Sequence, residues 1–207
     1  MTQRVLDPRM LDTGTALPAM SGANLTGLPA VTTFISSQTA SASATVDFTD
    51  LDTATYDHFR VTFADVNIAT ANQELRMRFG TGATPTWQSS NYGSSEPQSY
   101  LSSAAGGFAH TTGNYATSEF ALCTTLGNAA ADLIFGQLDL FNLGSTTQYK
   151  GYVGRTVASN DGDSTRITNG MPGGKWTSTT AVTAVRFYAG SGNITSGTFN
   201  LYGISNS

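Results

Sequence analysis

Phe59-Arg60-Val61-Thr62-Phe63 alternates apolar and polar side chains without a break. Successive side chains of a β-strand point to opposite faces, so the two phenylalanines and the valine share one face and the other two residues share the opposite one. Leu75-Arg76-Met77-Arg78-Phe79 repeats the arrangement, with both arginines on one outer, solvated face. A period of two over five residues is typical of half-buried strands.

Short segments of the same kind recur along the chain and predict at least nine strands and no helix. Besides the two quoted above, they cover residues 31–37, 46–48, 119–124, 131–143, 148–158, 165–168, 181–189 and 198–204. Between Gly80 and Tyr115 the alternation is lost for about thirty-five residues, and a structureless loop of that length is unusual in a compact domain. We therefore expect an irregular strand inside it, near residues 98–101.

The end of the chain favours a particular architecture. Val185 and Phe187 share one face of a predicted strand, and Phe199 and Leu201 share the matching face of the next, across the turn at residues 190–193. We interpret this pair as a hairpin packed on one side. Many short strands about ten residues apart, joined by Gly and Asn turns, predict an all-β, antiparallel β-sandwich of jelly-roll type over residues 31–207.

Residues 1–30 show neither the two-residue period of a strand nor the period of a helix. Three prolines and three glycines interrupt them, so they cannot bury enough apolar surface to fold alone. Yet they carry spaced apolar side chains, which a flexible linker does not need: among them Leu6, Met10, Leu11, Leu17, Met20, Leu25 and Leu28. We interpret this segment as an extended arm that docks on its own copies or on a partner.

Composition narrows the functional classes. Only 12% of the 207 residues are charged and the net charge is −4, so we expect neither nucleic acid nor an anionic membrane as a partner, because both need a clustered basic surface. The single cysteine, Cys123, excludes an intrachain disulfide and is predicted to be a small buried residue. We expect no membrane span and no signal peptide, because no apolar run is long enough and none stands at the start.

No catalytic constellation stands out, and we predict a protein without enzymatic activity, cofactor or metal. His58 and His110 lack metal-site spacing, and no serine has the glycine spacing of a nucleophile elbow. Asn160-Asp161-Gly162-Asp163-Ser164 is rich in oxygen ligands but lacks the glycine and closing glutamate of an EF-hand, so a cation there stays open beside an ordinary turn. A pair of glycosidase carboxylates also stays open, because sequence does not give their separation.

Two parts of the chain together resemble a known family. The arm contains Leu17-Pro18-Ala19-Met20-Ser21-Gly22-Ala23-Asn24-Leu25-Thr26-Gly27-Leu28, which resembles short G-x-N-L-T-G-L segments of bacteriophage tail fibres and other virion appendages. The strands quoted above, with the closing segment of residues 192–204, resemble the C-terminal β-sandwich domains of such fibres. The resemblance implies a homotrimeric virion-surface protein, a short fibre or head spike, whose arm attaches to other virion proteins and whose outer domain faces the host.

The resemblance brings no catalytic residues, but it implies a possible host-surface glycan as receptor. Glycans are bound by exposed aromatic rings together with amide and hydroxyl groups. The candidate rings are Trp87, Tyr92, Tyr100 and Trp176, each of which has core packing as its competing interpretation. The alternative functions are a capsid decoration protein without a receptor, a free carbohydrate-binding module and, last, a polysaccharide-degrading enzyme.

Overall fold

A computed structural model describes residues 31–56, 58–101, 106–160 and 163–205 of the chain. The predicted arm, residues 1–30, therefore lies outside the described residues. The described part forms fourteen β-strands and no helix. In chain order they are β1 (Val31–Ser43), β2 (Val46–Phe48), β3 (His58–Ile68), β4 (Gln73–Thr81), β5 (Thr86–Trp87), β6 (Tyr92–Leu101), β7 (Gly106–Thr117), β8 (Phe120–Leu126), β9 (Ile134–Phe141), β10 (Lys150–Asn160), β11 (Asp163–Gly170), β12 (Gly173–Trp176), β13 (Ala184–Ala189) and β14 (Ile194–Ser205).

Eight of these strands form a jelly roll, which confirms the predicted fold class. Sheet A contains β1-β14-β3-β9 and sheet B contains β2-β13-β4-β8, all antiparallel. Taken in chain order, the eight strands form one long folded-back hairpin, in which β1 pairs with β14, β2 with β13, β3 with β9 and β4 with β8. Rolling that hairpin up brings β14 beside β3 and β13 beside β4, which gives the two packed sheets of a jelly roll.

The predicted hairpin of the last two strands is wrong. β13 pairs with β2 and β4 in sheet B, whereas β14 pairs with β1 and β3 in sheet A. The connection at residues 190–193 therefore crosses from one sheet to the other. Phe187 and Phe199 do face each other, with ring centroids 5.2 Å apart, but across the core. Alternation is the same for paired strands and for strands that face each other between sheets, so it could not separate these arrangements.

The core lies between the inner faces of the two sheets. From sheet A it takes Phe59, Val61, Phe63, Leu138, Leu140, Phe199 and Leu201, and from sheet B it takes Val46, Phe48, Leu75, Met77, Phe79, Phe120, Leu122, Val185 and Phe187. All are nearly or fully buried. Cys123 is buried on β8, as predicted. Burial of this many large apolar side chains is the main source of stability in a chain without disulfides.

Two insertions widen sheet A. In the sequence, one insertion, strands β5–β7, comes between β4 and β8. The other, strands β10–β12, comes between β9 and β13. The insertions pair with each other, so that sheet A continues from β9 through β10, then β11 and β12 end to end, then β6 and β7. We call this part the extension. The strand expected near residues 98–101 is the end of β6, although β6 and β7 together make the region far more regular than the sequence indicates.

An aromatic cluster joins the extension to sheet B. Phe120 of β8 contacts Tyr92 of β6 and Tyr152 of β10, with ring centroids 4.7 and 4.6 Å apart. Phe79 of β4 and Trp176 of β12 complete the cluster. The inserted strands are therefore packed on the jelly roll through one buried group of rings.

Candidate functional site

The outer face of sheet B is covered by paired charges. Glu119 accepts hydrogen bonds from Arg76 at 3.1 Å and from Arg78 at 2.6 Å, and Arg76 also binds Glu74 at 2.9 Å. Partial burial would raise the pKa of Glu119, but hydrogen bonds from Ser118 and Arg78 and the two nearby arginine charges outweigh it and lower that pKa. The two arginines share one face, as predicted, and their charges are neutralised there.

A second paired group lies on the same sheet. Arg186 of β13 binds both carboxylate oxygens of Asp47, at 2.8 and 2.7 Å, and its guanidinium lies 4.1 Å from the ring centroid of Trp87. In both groups the charged side chains bind each other, so their charges are neutralised within the sheet. The outer face of sheet B is therefore a solvated surface.

The outer face of sheet A is different, because it contains a groove of about 790 Å³. The groove is lined by Phe135, Gln137 and Asp139 of β9, by residues 153–157 of β10 and by residues 171–173, which lead from β11 into β12. Its volume lies in the range of about 300–1,000 Å³ that is typical of small-ligand sites.

A row of four polar side chains crosses this face from the jelly roll into the groove. Asn200 of β14 is paired with Thr62 of β3, Thr62 with Gln137 of β9, and Gln137 with Arg155 of β10. We call these four residues the polar row; it spans about 14 Å, three strand spacings. Gln137 and Arg155 are exposed and the other two partly so.

The polar row is notable because its side chains are unpaired. Within the part of the chain that the structure describes, none of the four makes a side-chain hydrogen bond or ion pair, in contrast with the paired groups of sheet B. An amide, a hydroxyl, a second amide and a guanidinium therefore stand in line, with their donors and acceptors directed to solvent. Such a row can bind a hydroxyl-rich ligand without breaking any internal bond.

The neighbours of the row are apolar or neutralised. On one side, Phe135 and Val157 are paired and each is 43% exposed. On the other side, Val153 is 55% exposed and is paired with Asp139, whose carboxylate binds Arg60 at 2.7 and 3.1 Å. Hydrogen bonding to Asp139 raises the pKa of Arg60. Exposed apolar side chains of this kind mark binding surfaces.

Two of the four predicted glycan-binding rings are core residues instead. Tyr92 is fully buried and Trp176 is 3% exposed, and they stack on each other with centroids 6.0 Å apart. Neither offers a ring face to a ligand, so they are removed from the candidate set. The amphipathic character of Tyr and Trp explains the error, because each satisfies its polar atom internally: Trp176 donates to the Ser90 carbonyl at 2.9 Å.

The third ring, that of Trp87, is not in the groove either. Trp87 is partly buried on β5 and one of its faces is covered by Arg186. Tyr100 is placed on β6, opposite Thr168 of β11 and Gly107 of β7, and its side chain lies outside the described residues. The sequence prediction thus did not identify the polar row.

Tyr92→Phe should lower stability, because the Tyr92 hydroxyl accepts a hydrogen bond from the Phe79 amide at 2.9 Å. Burial raises the pKa of this hydroxyl to about 12, so it is neutral at ordinary pH. Its removal leaves a buried amide without a partner, and we expect a loss of about 1–3 kcal/mol in the free energy of unfolding. Urea denaturation measures this directly. Unchanged stability together with weaker glycan binding would restore Tyr92 as a binding residue.

The remaining predicted sites are mostly outside the described residues. Residues 161 and 162 of the possible cation loop are among these, and the loop joins the paired ends of β10 and β11. Among the described side chains, no group of three or more His, Cys, Asp or Glu residues is arranged to hold a metal ion. His58 stacks on Phe141 with ring centroids 5.3 Å apart. No helix in the described ranges is long and apolar enough to cross a membrane.

Comparison with known proteins gives no further identification. No protein family, no curated protein and no solved structure matches the chain.

Proposed function

We propose that this chain is a structural virion protein of a bacteriophage, a short homotrimeric fibre or spike that contacts host-surface glycans. The polar row is the observation that carries the adhesive part of the proposal. Four adjacent side chains with unused hydrogen-bonding groups, beside an exposed aromatic ring, suit the hydroxyls and the apolar faces of sugars. The resemblance of the arm to phage appendage segments supports the virion part.

The arrangement suits a tethered adhesin. The arm leads into Val31, where β1 begins, and β1 is an edge strand that pairs only with β14 among the described strands. Phe34 and Ile35 of this strand are 56% and 39% exposed. We place the contacts between copies, and the attachment to other virion proteins, at this edge. The groove lies three to four strands away and stays open to a receptor.

The polar row is tested with full-length protein, labelled and added to cells of strains that are sensitive to the phage that carries the gene. Gln137→Ala/Asn200→Ala should weaken adsorption about tenfold or more, since each lost hydrogen bond is worth about 0.5–1.5 kcal/mol. Gln148→Ala is the matched control: Gln148 is an exposed glutamine of the loop between β9 and β10, and it belongs neither to the polar row nor to the lining of the groove. We expect it to change adsorption less than twofold.

Two further readouts separate the alternatives. Light scattering should give about three times 21.6 kDa for the trimer, and an antiserum should detect the protein in purified particles. Presence in particles without adsorption to cells would favour a decoration protein. Adsorption without presence in particles would favour a free carbohydrate-binding module. Either result would overturn the proposal as stated.

A further inference from the structure

We infer that the ligand of the groove is an acidic polysaccharide with sparse carboxylates, one of which Arg155 binds. The inference rests on the proposed glycan adhesion and specifies its substrate class. In a chain of net charge −4, a local excess of positive charge needs a reason.

Only two described cationic side chains are both exposed and unpaired. Arg60, Arg76, Arg78 and Arg186 are in ion pairs. Lys150 is fully buried and donates to two backbone carbonyls, of Ser145 and Gln148. Arg155 and Lys175 remain, both exposed and without a partner among the described residues.

Both unpaired cations lie on the outer face of the sheet A extension. Gly151 and Arg155 are four residues apart on β10, so both positions are on the same face of the strand. The partner of Gly151 on β12 is Lys175. Four residues along the strand and one strand spacing across place the Cα atoms of Arg155 and Lys175 about 14 Å apart. Arg155 lines the groove, and Lys175 lies two residues beyond Gly173, which also lines it.

No described carboxylate on this face cancels these charges. Asp139 is the acidic residue of the groove, and both of its oxygens bind Arg60. Arg155 also lies between Val153 and Val157 on its own strand, and exposed apolar neighbours shield its charge less than water does. A guanidinium in this setting can bind a carboxylate through two parallel hydrogen bonds.

The spacing of the charges indicates the density of charge on the ligand. Nucleic acids and other dense polyanions need clusters of Lys and Arg, because each neutralised charge releases counterions. Two cations about 14 Å apart, with amides and a hydroxyl beside them, instead suit a mostly neutral sugar chain with occasional carboxylates. A uronic-acid polysaccharide has this chemistry.

The test measures binding of full-length protein to three immobilised polysaccharides: hyaluronate, which carries carboxylates at intervals, neutral dextran and dextran sulfate. We expect hyaluronate to bind at least tenfold more tightly than the other two. Arg155→Gln should weaken hyaluronate binding about tenfold, and Arg155→Lys should recover part of the loss, since it keeps the charge but not the bidentate geometry. Asp50→Asn added to Arg155→Gln restores the net charge at a distant, exposed position and should rescue nothing.

The outcomes separate this inference from the function on which it rests. Binding to dextran that Arg155→Gln does not change, without preference for hyaluronate, would leave glycan adhesion standing and overturn the acidic ligand. Equal binding to dextran sulfate, or rescue by Asp50→Asn, would mean unspecific charge attraction and would also overturn it. Binding to none of the three polysaccharides and no adsorption to cells would overturn both.

Discussion

Gly197→Ala is expected to lower the free energy of unfolding by about 4 kcal/mol. A side chain at this position would be disfavoured both by the backbone conformation and by steric overlap with a neighbouring strand. Gly197 has φ of 128°, a backbone region that residues with a Cβ rarely adopt. A Cβ placed there would also lie 2.6 Å from Val66 Cγ2 and 2.7 Å from Val66 Cα. The second contact is to backbone, so a change of rotamer cannot relieve it.

The strain has a structural origin in the pairing of β3 with β14. The register passes from Thr198 opposite Ala64 to Ser196 opposite Asn67, so that two residues of β3 face the single residue Gly197. This is a β-bulge, and Asp65 within it has φ of 56°. Only a residue without a side chain fits against the bulged strand. The bulge therefore fixes the register of the two central strands of sheet A.

Urea denaturation at one protein concentration measures the effect. With a slope of about 2 kcal/mol per molar, the midpoint should fall by about 2 M. Gly151→Ala is the control, because a Cβ there would meet nothing closer than the Gly174 carbonyl oxygen at 3.6 Å. We expect that variant to stay within about 0.5 kcal/mol of the natural chain. Equal midpoints for the two variants would show that β14 relaxes around the bulge.

The bulge also illustrates what the sequence could predict and what it could not. Alternation identified β3 and β4 and the buried faces of β13 and β14, because side-chain direction in a strand is a local property. The jelly roll followed from the number and spacing of such strands. Which strands are paired is not local: β14 lies between β1 and β3, more than a hundred residues away in the chain.

The polar row could not be predicted for the same reason. Two members are recognisable alone as the polar residue between two apolar ones: Thr62 between Val61 and Phe63, and Asn200 between Phe199 and Leu201. The alignment of all four depends on the registers of three strand pairs. A shift of one residue in any pair would turn a member to the other face. The sequence instead indicated aromatic rings as the glycan-binding residues, but two of these, Tyr92 and Trp176, connect the extension to sheet B.

That connection leads to a second large expected effect. Phe120→Ala should lower the free energy of unfolding by about 3–5 kcal/mol, the range for removing a buried phenylalanine ring. Phe120 is fully buried and contacts Phe79, Tyr92 and Tyr152, so its loss leaves a cavity among rings that cannot all move inward. Tyr149→Ala is the control. Tyr149 is 54% exposed in the loop between β9 and β10, and its removal should cost less than about 1 kcal/mol.

The location of Phe120 makes its effect on binding informative. The ring belongs to sheet B, but Tyr152 belongs to β10, which also carries Arg155 and one wall of the groove. Phe120→Ala should therefore increase amide hydrogen exchange in β10 and β12 before it does so in β3 and β14, and should weaken ligand binding with no groove residue changed. Phe120→Leu keeps part of the volume and should show both effects to a smaller degree. Uniform loss of protection across all strands would mean that extension and jelly roll unfold as one cooperative unit, so that binding would follow global stability alone.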